Sequence, residues 1–431
     1  MIGSISVLLV LGGAGGSNYF VRTTHRGTAA TQHPIGGTRP SHPAVFEVVA
    51  ISPTSGQKAV GYSPLIRVQF SQPLARHWSL PSLTPTIPGS WVHTGRSTLE
   101  FRPKGNFVPF SKVTLSLRGG RAGLRDGAGV ALADPYQASF VIAAGSVLRL
   151  QQLLAELGYM PLDFEGVTTT GTSSSSDTFA RAGPHHLIAA IGASPSPAVE
   201  AATGRSSFKT ASDTSVPLHL ARLATATLDR EASRPAAIDL RPRAGSFSWR
   251  FSDIPSSLAT SWQPGVDTVL VRAAVMSFES AHGLPADGDA GPQVWTALLH
   301  AIAQRQVSSA PYDYIEVTTS SPETLSVWRV GKIIYQSLAN TGIAEEPTAL
   351  GTYPVYLRYN STTMSGYNPD GSHYDDPGVP YVAYFNGGDA VHGFLRAQYG
   401  YPQSLGCVEL SYANAAVVFN YDPIGTLVNV S

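Results

Sequence analysis

Short runs that alternate polar and apolar side chains, each closed by Pro, Gly, Ser or Asn, recur along most of this chain. That pattern confines it to short strands joined by tight turns. The 42 glycines and 32 prolines among 431 residues supply the breaks. Between Val45 and Ala143 the runs Leu65–Phe70, Thr98–Arg102 and Lys112–Leu117 include period-two alternation. About a hundred residues of this kind predict a β-sandwich, here over 45–144. Helical periodicity marks three other places. Ser146 can cap a helix that runs to Leu157, with Val147, Leu150, Leu153 and Leu154 among its apolar positions and Gly158 as its stop. A second runs from Asp267 to His282, and a third has Pro292 near its first turn and carries Val294, Trp295, Leu298 and Leu299. Together they predict a small three-helix module over 146–304. An insertion at about 167–244 interrupts it, opening on the Thr- and Ser-rich stretch Thr168–Ser176. Such composition buries little apolar surface and is expected to be largely disordered, with at most a weak helical stretch near Leu218–Leu228. From Tyr314 strand runs return in Tyr314–Val317, Thr324–Trp328, Lys332–Tyr335 and Val355–Tyr359, predicting a β-rich domain over 312–431. The expected fold class is multidomain and mainly β.

Charged residues make up only 13%, and 29 basic side chains balance 29 acidic ones. This balance gives no electrostatic case for nucleic acid or an anionic membrane. Ile2–Leu11 is an apolar run too short to span a bilayer as a helix. It is read as part of an export signal or membrane anchor over 1–16, followed by a linker over 17–44. Neither His185–His186 nor Asp287–Gly288–Asp289 has the further ligands a metal site needs, so no metal or other cofactor is expected.

Cys407 is the only cysteine. A lone thiol is either a small buried hydrophobe or a nucleophile. Its surroundings favour the second reading. Val391-His392-Gly393 lies upstream, and Ser404-Leu405-Gly406-Cys407 forms a turn-like segment. The imidazole can take the thiol proton, and flexible backbone N–H groups can hold an oxyanion.

These residues resemble the catalytic motif of the L,D-transpeptidases, the YkuD-type enzymes that cross-link bacterial peptidoglycan. The resemblance covers roughly Tyr312–Ser431 and extends to Glu346–Tyr353 and to the run Tyr381–Ala390. It implies a mainly β catalytic fold with Cys407 as nucleophile and His392 as general base and acid. The backbone carbonyl of Gly393 would orient His392, and the amides of Gly406 and Cys407 would form the oxyanion hole. Met364, Tyr367, Tyr374 and Ser404 are the expected substrate-binding residues, with a flap from Met364 to Gly378 over the groove. One departure stands out: the family's histidine before Gly406 is Leu405 here. Glu409 stands where the family often has Arg or Asn. Upstream, Ser52-Pro53 with Ile66–Ser71 resembles bacterial Ig-like domains, read as a spacer. Leu150–Tyr159 with Ala274–Trp295 resembles the two halves of a peptidoglycan-binding module.

The resemblance implies a thiolate attack on the stem tetrapeptide before its terminal D-Ala, then transfer of the acyl group to an amine of a second stem. Peptidoglycan stems and glycan are the implied partners, carbapenems are expected to acylate Cys407, and the bacterial cell envelope is the expected location. Three other readings stay open: an L,D-carboxypeptidase with water as acceptor, an inactive wall-binding protein, and a cysteine endopeptidase of another fold. Endopeptidases of that kind usually place Cys before His, the reverse of the order here.

Overall fold

In the first folded region, alternation decides which side chains meet. β1 (Val48–Ser52), β2 (Ile66–Phe70), β4 (Gly89–Gly95) and β5 (Thr98–Pro103) form a sheet in the order β1-β2-β5-β4. Three more strands, β3 (Ser82–Thr84), β6 (Lys112–Leu117) and β7 (Tyr136–Val141), form a second sheet in the order β3-β6-β7. On β2, Ile66, Val68 and Phe70 are buried while Arg67 and Gln69 are exposed. On β6, Val113, Leu115 and Leu117 turn inward. These two faces share one apolar core with Phe46, Phe107 and Phe140. The result is the expected β-sandwich. The computed structural model describes residues 45–76, 79–167 and 234–431. The apolar run Ile2–Leu11, the linker, His185–His186 and the stretches Thr168–Ser176 and Leu218–Leu228 lie outside the described residues.

The helical module follows. Ser146 caps α1 (Val147–Glu156) by accepting the Arg149 N–H, as its position in the sequence predicts. Next come the strands β8 (Leu162–Gly166) and β9 (Gly245–Trp249), then α2 (Ser256–Thr260), α3 (Val269–Ala281) and α4 (Pro292–Gln304). Leu153, Leu154, Val271, Phe278, Trp295 and Leu298 join in a single core, so α1 packs with helices more than a hundred residues downstream. Two adjacent buried glutamines tie the halves together. Gln151 donates to the carbonyls of Gln263 and Val266 and accepts the Gly265 N–H. Gln152 donates to Arg243 O at 2.8 Å and accepts the Arg243 N–H at 3.0 Å.

β8 and β9 pair antiparallel from Leu162↔Trp249 to Gly166↔Gly245, which brings the two ends of the interruption side by side. Residues 234–244, expected within the insertion, are instead part of the packed structure. Leu240 is 1% exposed. The carbonyl of Asp239 accepts from Arg149 Nε at 3.0 Å, and Asn106 of the sandwich bonds both Ala236 O and Ile238 O. The physical reason is local: Leu240 and Pro235 are buried, Ile238 packs on the helical core, and a row of backbone acceptors completes the docking.

The carboxyl-terminal domain has two sheets. β10 (Asp313–Thr318), β11 (Thr324–Arg329), β12 (Lys332–Leu338), β13 (Gly351–Pro354) and β18 (Leu427–Val430) pair in the order β12-β11-β10-β18-β13. β14 (Leu357–Tyr367), β15 (His373–Asn386), β16 (Asp389–Gly393) and β17 (Val408–Leu410) form the second sheet in chain order. Ile315, Val327 and Val428 of the first sheet meet Val391, Val408 and Leu410 of the second, and α5 (Tyr412–Val418) adds Ala415 and Val418 to this core. The first sheet also joins the helical module. Tyr314, Trp328 and Leu427 belong to the helical core, Trp328 Nε1 donates to Asp253 O at 2.9 Å, and Ser277 Oγ donates to Ile424 O at 3.3 Å. Among the described residues no helix is long and apolar enough to cross a membrane.

Leu240→Ala is expected to lower unfolding stability by about 2–5 kcal/mol, the range for truncating a buried leucine. Chemical denaturation of the variant checks it. A change below about 0.5 kcal/mol, typical of surface positions, would place residues 234–244 outside the cooperative core.

Candidate active site

The site is built on two neighbouring parallel strands. β16 and β17 pair in register, Val391↔Val408, His392↔Glu409 and Gly393↔Leu410, so Cys407 immediately precedes a strand that lies alongside His392. His392 is only 3% exposed, and its Nδ1 lies 3.1 Å from Gly393 O. A carbonyl can only accept, so Nδ1 carries the proton and Nε2 keeps its lone pair. Glycine is required at 393 by packing. A Cβ there would lie 3.0 Å from Tyr412 Cδ1, 3.1 Å from Pro380 Cγ and 3.3 Å from Ala415 Cβ. Burial holds the His392 imidazole below its ordinary pKa, against smaller upward pulls from the Gly393 carbonyl and the Glu409 carboxylate.

The Cys407 thiol is partly accessible and lies 3.7 Å from Gly388 O. It packs against an apolar cluster that includes Val379, Val382 and Ala390. Burial pushes its pKa up to about 12, and the nearby carboxylates of Asp389 and Glu409 push the same way. At neutral pH the resting pair is therefore a thiol and a neutral imidazole. Gly406 adopts φ +106°, and a Cβ there would come within 2.5 Å of Asp389 Oδ1, so both backbone angle and space call for glycine. Ser404 is 2% exposed and donates from Oγ to Cys407 O at 2.5 Å. Its N–H donates to Thr341 O at 3.0 Å, so Ser404 braces the turn that presents the thiol as well as lining the site.

His392 and Cys407 line one cavity of about 280 Å³. Met364, Tyr374 and Ser404 line it too, and Leu405 occupies part of the wall. Tyr367 does not join them. It is 71% exposed, with its ring edge-on to His373 at 5.3 Å. The cause is strand geometry. Met364 and Asn368 line the cavity, and alternation turns Tyr367 to the opposite face. The β14–β15 hairpin that supplies these residues is anchored at its base by Arg358, which donates to Asp422 Oδ1 at 2.9 Å and to the carbonyl of Phe419.

Sequence reasoning missed Arg396. This side chain lines the cavity and grips the buried Glu409 with two bonds, Nε to Oε2 at 2.8 Å and Nη2 to Oε1 at 2.7 Å. Its guanidinium carbon lies 4.7 Å from the centroid of the Phe394 ring. A signal did exist: a carboxylate on a buried strand demands a cation, and Arg396 is the only basic residue between His392 and Glu409. Among the described residues no group of three or more His, Cys, Asp and Glu side chains is arranged to hold a metal ion.

The candidate site thus has a histidine on one strand, a cysteine just before its parallel neighbour, and a braced glycine turn. Comparison with known proteins finds two matching segments. The model of the L,D-transpeptidase catalytic domain, YkuD, matches residues 312–430, and that of a putative peptidoglycan-binding domain matches 263–298. The second match begins after α1, although α1 shares the core of that module. Among solved structures, an L,D-transpeptidase from Mycobacterium smegmatis is 12% identical, covering 90% of this chain and 99% of that one with a TM-score of 0.26. L,D-transpeptidase 3 from Mycobacterium tuberculosis, with a faropenem-derived adduct, is 13% identical over 89% of this chain and 98% of its own, TM-score 0.26. The catalytic domain of the Enterococcus faecium L,D-transpeptidase is 24% identical over 29% of this chain and all of its own, also at 0.26. No curated protein matches the chain.

The resting protonation state has a direct test. Because the Cys407 pKa is raised, its thiolate is a small minority at neutral pH. Alkylation by iodoacetamide should therefore accelerate by about tenfold per pH unit between pH 7 and 9 without levelling off. Mass spectrometry of quenched samples reads the rate. A plateau below pH 8 would mean that the site holds a preformed thiolate–imidazolium pair.

Proposed function

We propose that this protein is a peptidoglycan L,D-transpeptidase in which Cys407 attacks the stem tetrapeptide. The observation that carries the reading is the shared cavity of His392 and Cys407, inside the segment that matches the L,D-transpeptidase catalytic domain. His392 Nε2 accepts the thiol proton as sulfur bonds to the carbonyl carbon before the terminal D-Ala. The backbone amides of Gly406 and Cys407 stabilise the oxyanion. As the tetrahedral intermediate collapses, the C–N bond breaks and the imidazolium returns its proton to the leaving D-Ala amine, which leaves a thioester on Cys407. An amine of a second stem then attacks the thioester and gives its proton to His392, and the thiol is regenerated. The Gly393 carbonyl holds the Nδ1 proton throughout, which keeps Nε2 as the working nitrogen.

Leu405 bears on the alternative of an inactive wall-binding protein. The wall carries an apolar side chain in place of the family's second imidazole, yet His392 keeps its Nδ1 contact with Gly393 O and lines the same cavity as the thiol. Backbone oxyanion donors do not depend on the side chain at 405. The peptidoglycan-binding domain would hold the wall polymer near the cavity, and the sandwich would act as a spacer. An extracytoplasmic, wall-associated location follows from that substrate.

Cys407→Ala is expected to abolish both carbapenem acylation and release of D-Ala while leaving the fold intact. His392→Ala should slow acylation by about 10²–10⁴-fold, the range for losing a general base. Leu405→His should change the rate far less. Stopped-flow acylation with mass spectrometry of the adduct distinguishes these outcomes. Residual D-Ala release by Cys407→Ala would sink the nucleophile assignment.

A further inference from the structure

We propose that Arg396 recognises a carboxylate of the stem peptide through the guanidinium edge that Glu409 leaves free. This rests on the transpeptidase reading above and names a specificity residue for that same site. A guanidinium has five N–H donors. Nε–H is spent on Glu409 Oε2, and Nη2 serves Glu409 Oε1 and, at 3.2 Å, the carbonyl of Gln403. That leaves the two Nη1 protons without an acceptor among the described residues. Nη1 is not among the buried polar atoms lacking a partner, so its donors are open to solvent at the cavity wall. The side chain is 31% exposed, against 5% for its partner Glu409.

The arrangement is rigid where it needs to be. Glu409 is fixed from behind because its backbone N–H donates to Asn340 O at 2.9 Å, while its C=O accepts from Asn340 N at 3.0 Å. Phe394 supports the guanidinium, and its ring lies edge-on to His392 with centroids 6.0 Å apart. Arg396 thus sits one ring away from the catalytic imidazole. A planar pair of donors held in this way matches a carboxylate, which a flexible ammonium would not do with the same geometry. The stem offers carboxylates from two sources: the terminal D-Ala and, where the diamino acid carries one, its side chain.

Binding can be measured without turnover on the Cys407→Ala protein by isothermal titration. Three tetrapeptides serve as probes: the free acid, the same peptide with its terminal carboxyl amidated, and one with lysine as the diamino acid. Removing the recognised carboxylate should weaken binding about 10- to 100-fold, the span of charge-assisted hydrogen bonds. Which peptide loses affinity identifies the source. Adding Arg396→Gln together with Glu409→Gln, which avoids stranding a buried charge, should abolish that discrimination while the peptide lacking the recognised carboxylate binds as before. Arg396→Lys keeps the ion pair and the fold but lacks the planar edge, so it too should lose most of the discrimination. Equal affinity for all three peptides, discrimination that survives both Arg396 changes, or no measurable binding would each overturn the proposal. Failure of the transpeptidase reading looks different: the peptide binds the Cys407→Ala protein, yet the protein with Cys407 intact releases no D-Ala from it.

Discussion

The parallel pairing of β16 with β17 is the constraint on which the candidate site depends. Parallel neighbours cannot be joined by a tight turn and need a crossover of about a dozen residues or more. Here Phe394–Cys407 makes that connection, and this is the physical reason His392 and Cys407 stand fifteen positions apart in sequence. The crossover has no regular secondary structure over most of its length, so side chains must hold it. Arg396 clamps Glu409, Tyr399 Oη donates to Phe394 O at 2.7 Å, and Ser404 fastens the last turn to Cys407 O. A slip of one residue in the register would turn His392 to the other face of the sheet.

The same economy joins the helical module to the catalytic sheet. Tyr314 and Trp328 extend from β10 and β11 into the core formed by α1, α3 and α4. Buried apolar surface of this kind does not separate without exposing both partners to water, so the two parts are expected to unfold together. The helical module and the carboxyl-terminal domain then keep a fixed relation, in contrast to modules joined by a flexible tether.

How much of this was legible in the sequence depended on how local the cause was. Caps and periodicity are local, and Ser146, Pro292 and the alternation Ile66-Val68-Phe70 fall where the pattern places them. His392 and Cys407 were legible as a motif because their spacing encodes the crossover. The docking of residues 234–244 was not, since Pro235, Ile238 and Leu240 show no strand or helix period and the segment's partners Arg149 and Asn106 are remote in the chain. Tyr367 falls outside the cavity lining because the family resemblance marks only a flap, while the strand register decides which face an aromatic takes. Arg396 escaped because its role arises from one contact with Glu409 across the crossover.

That contact ties substrate recognition to acid–base chemistry. The resting pair is neutral, and moving the proton from Cys407 to His392 creates two charges in a mostly buried site, which is costly unless the surroundings favour them. Glu409 pulls the imidazole toward its charged form, whereas Arg396 pushes against it. Asp376, which also lines the cavity, pulls the same way as Glu409, yet burial keeps the imidazole below its ordinary pKa. Under the proposed function, a substrate carboxylate bound to the free edge of Arg396 would shift that balance, because a second negative charge would offset the cation as water is displaced and the local dielectric falls. His392 would then be a stronger base with a carboxylate-bearing peptide in place. The raised pKa of Cys407 leaves it a poor nucleophile in the resting protein, so activation would await that peptide.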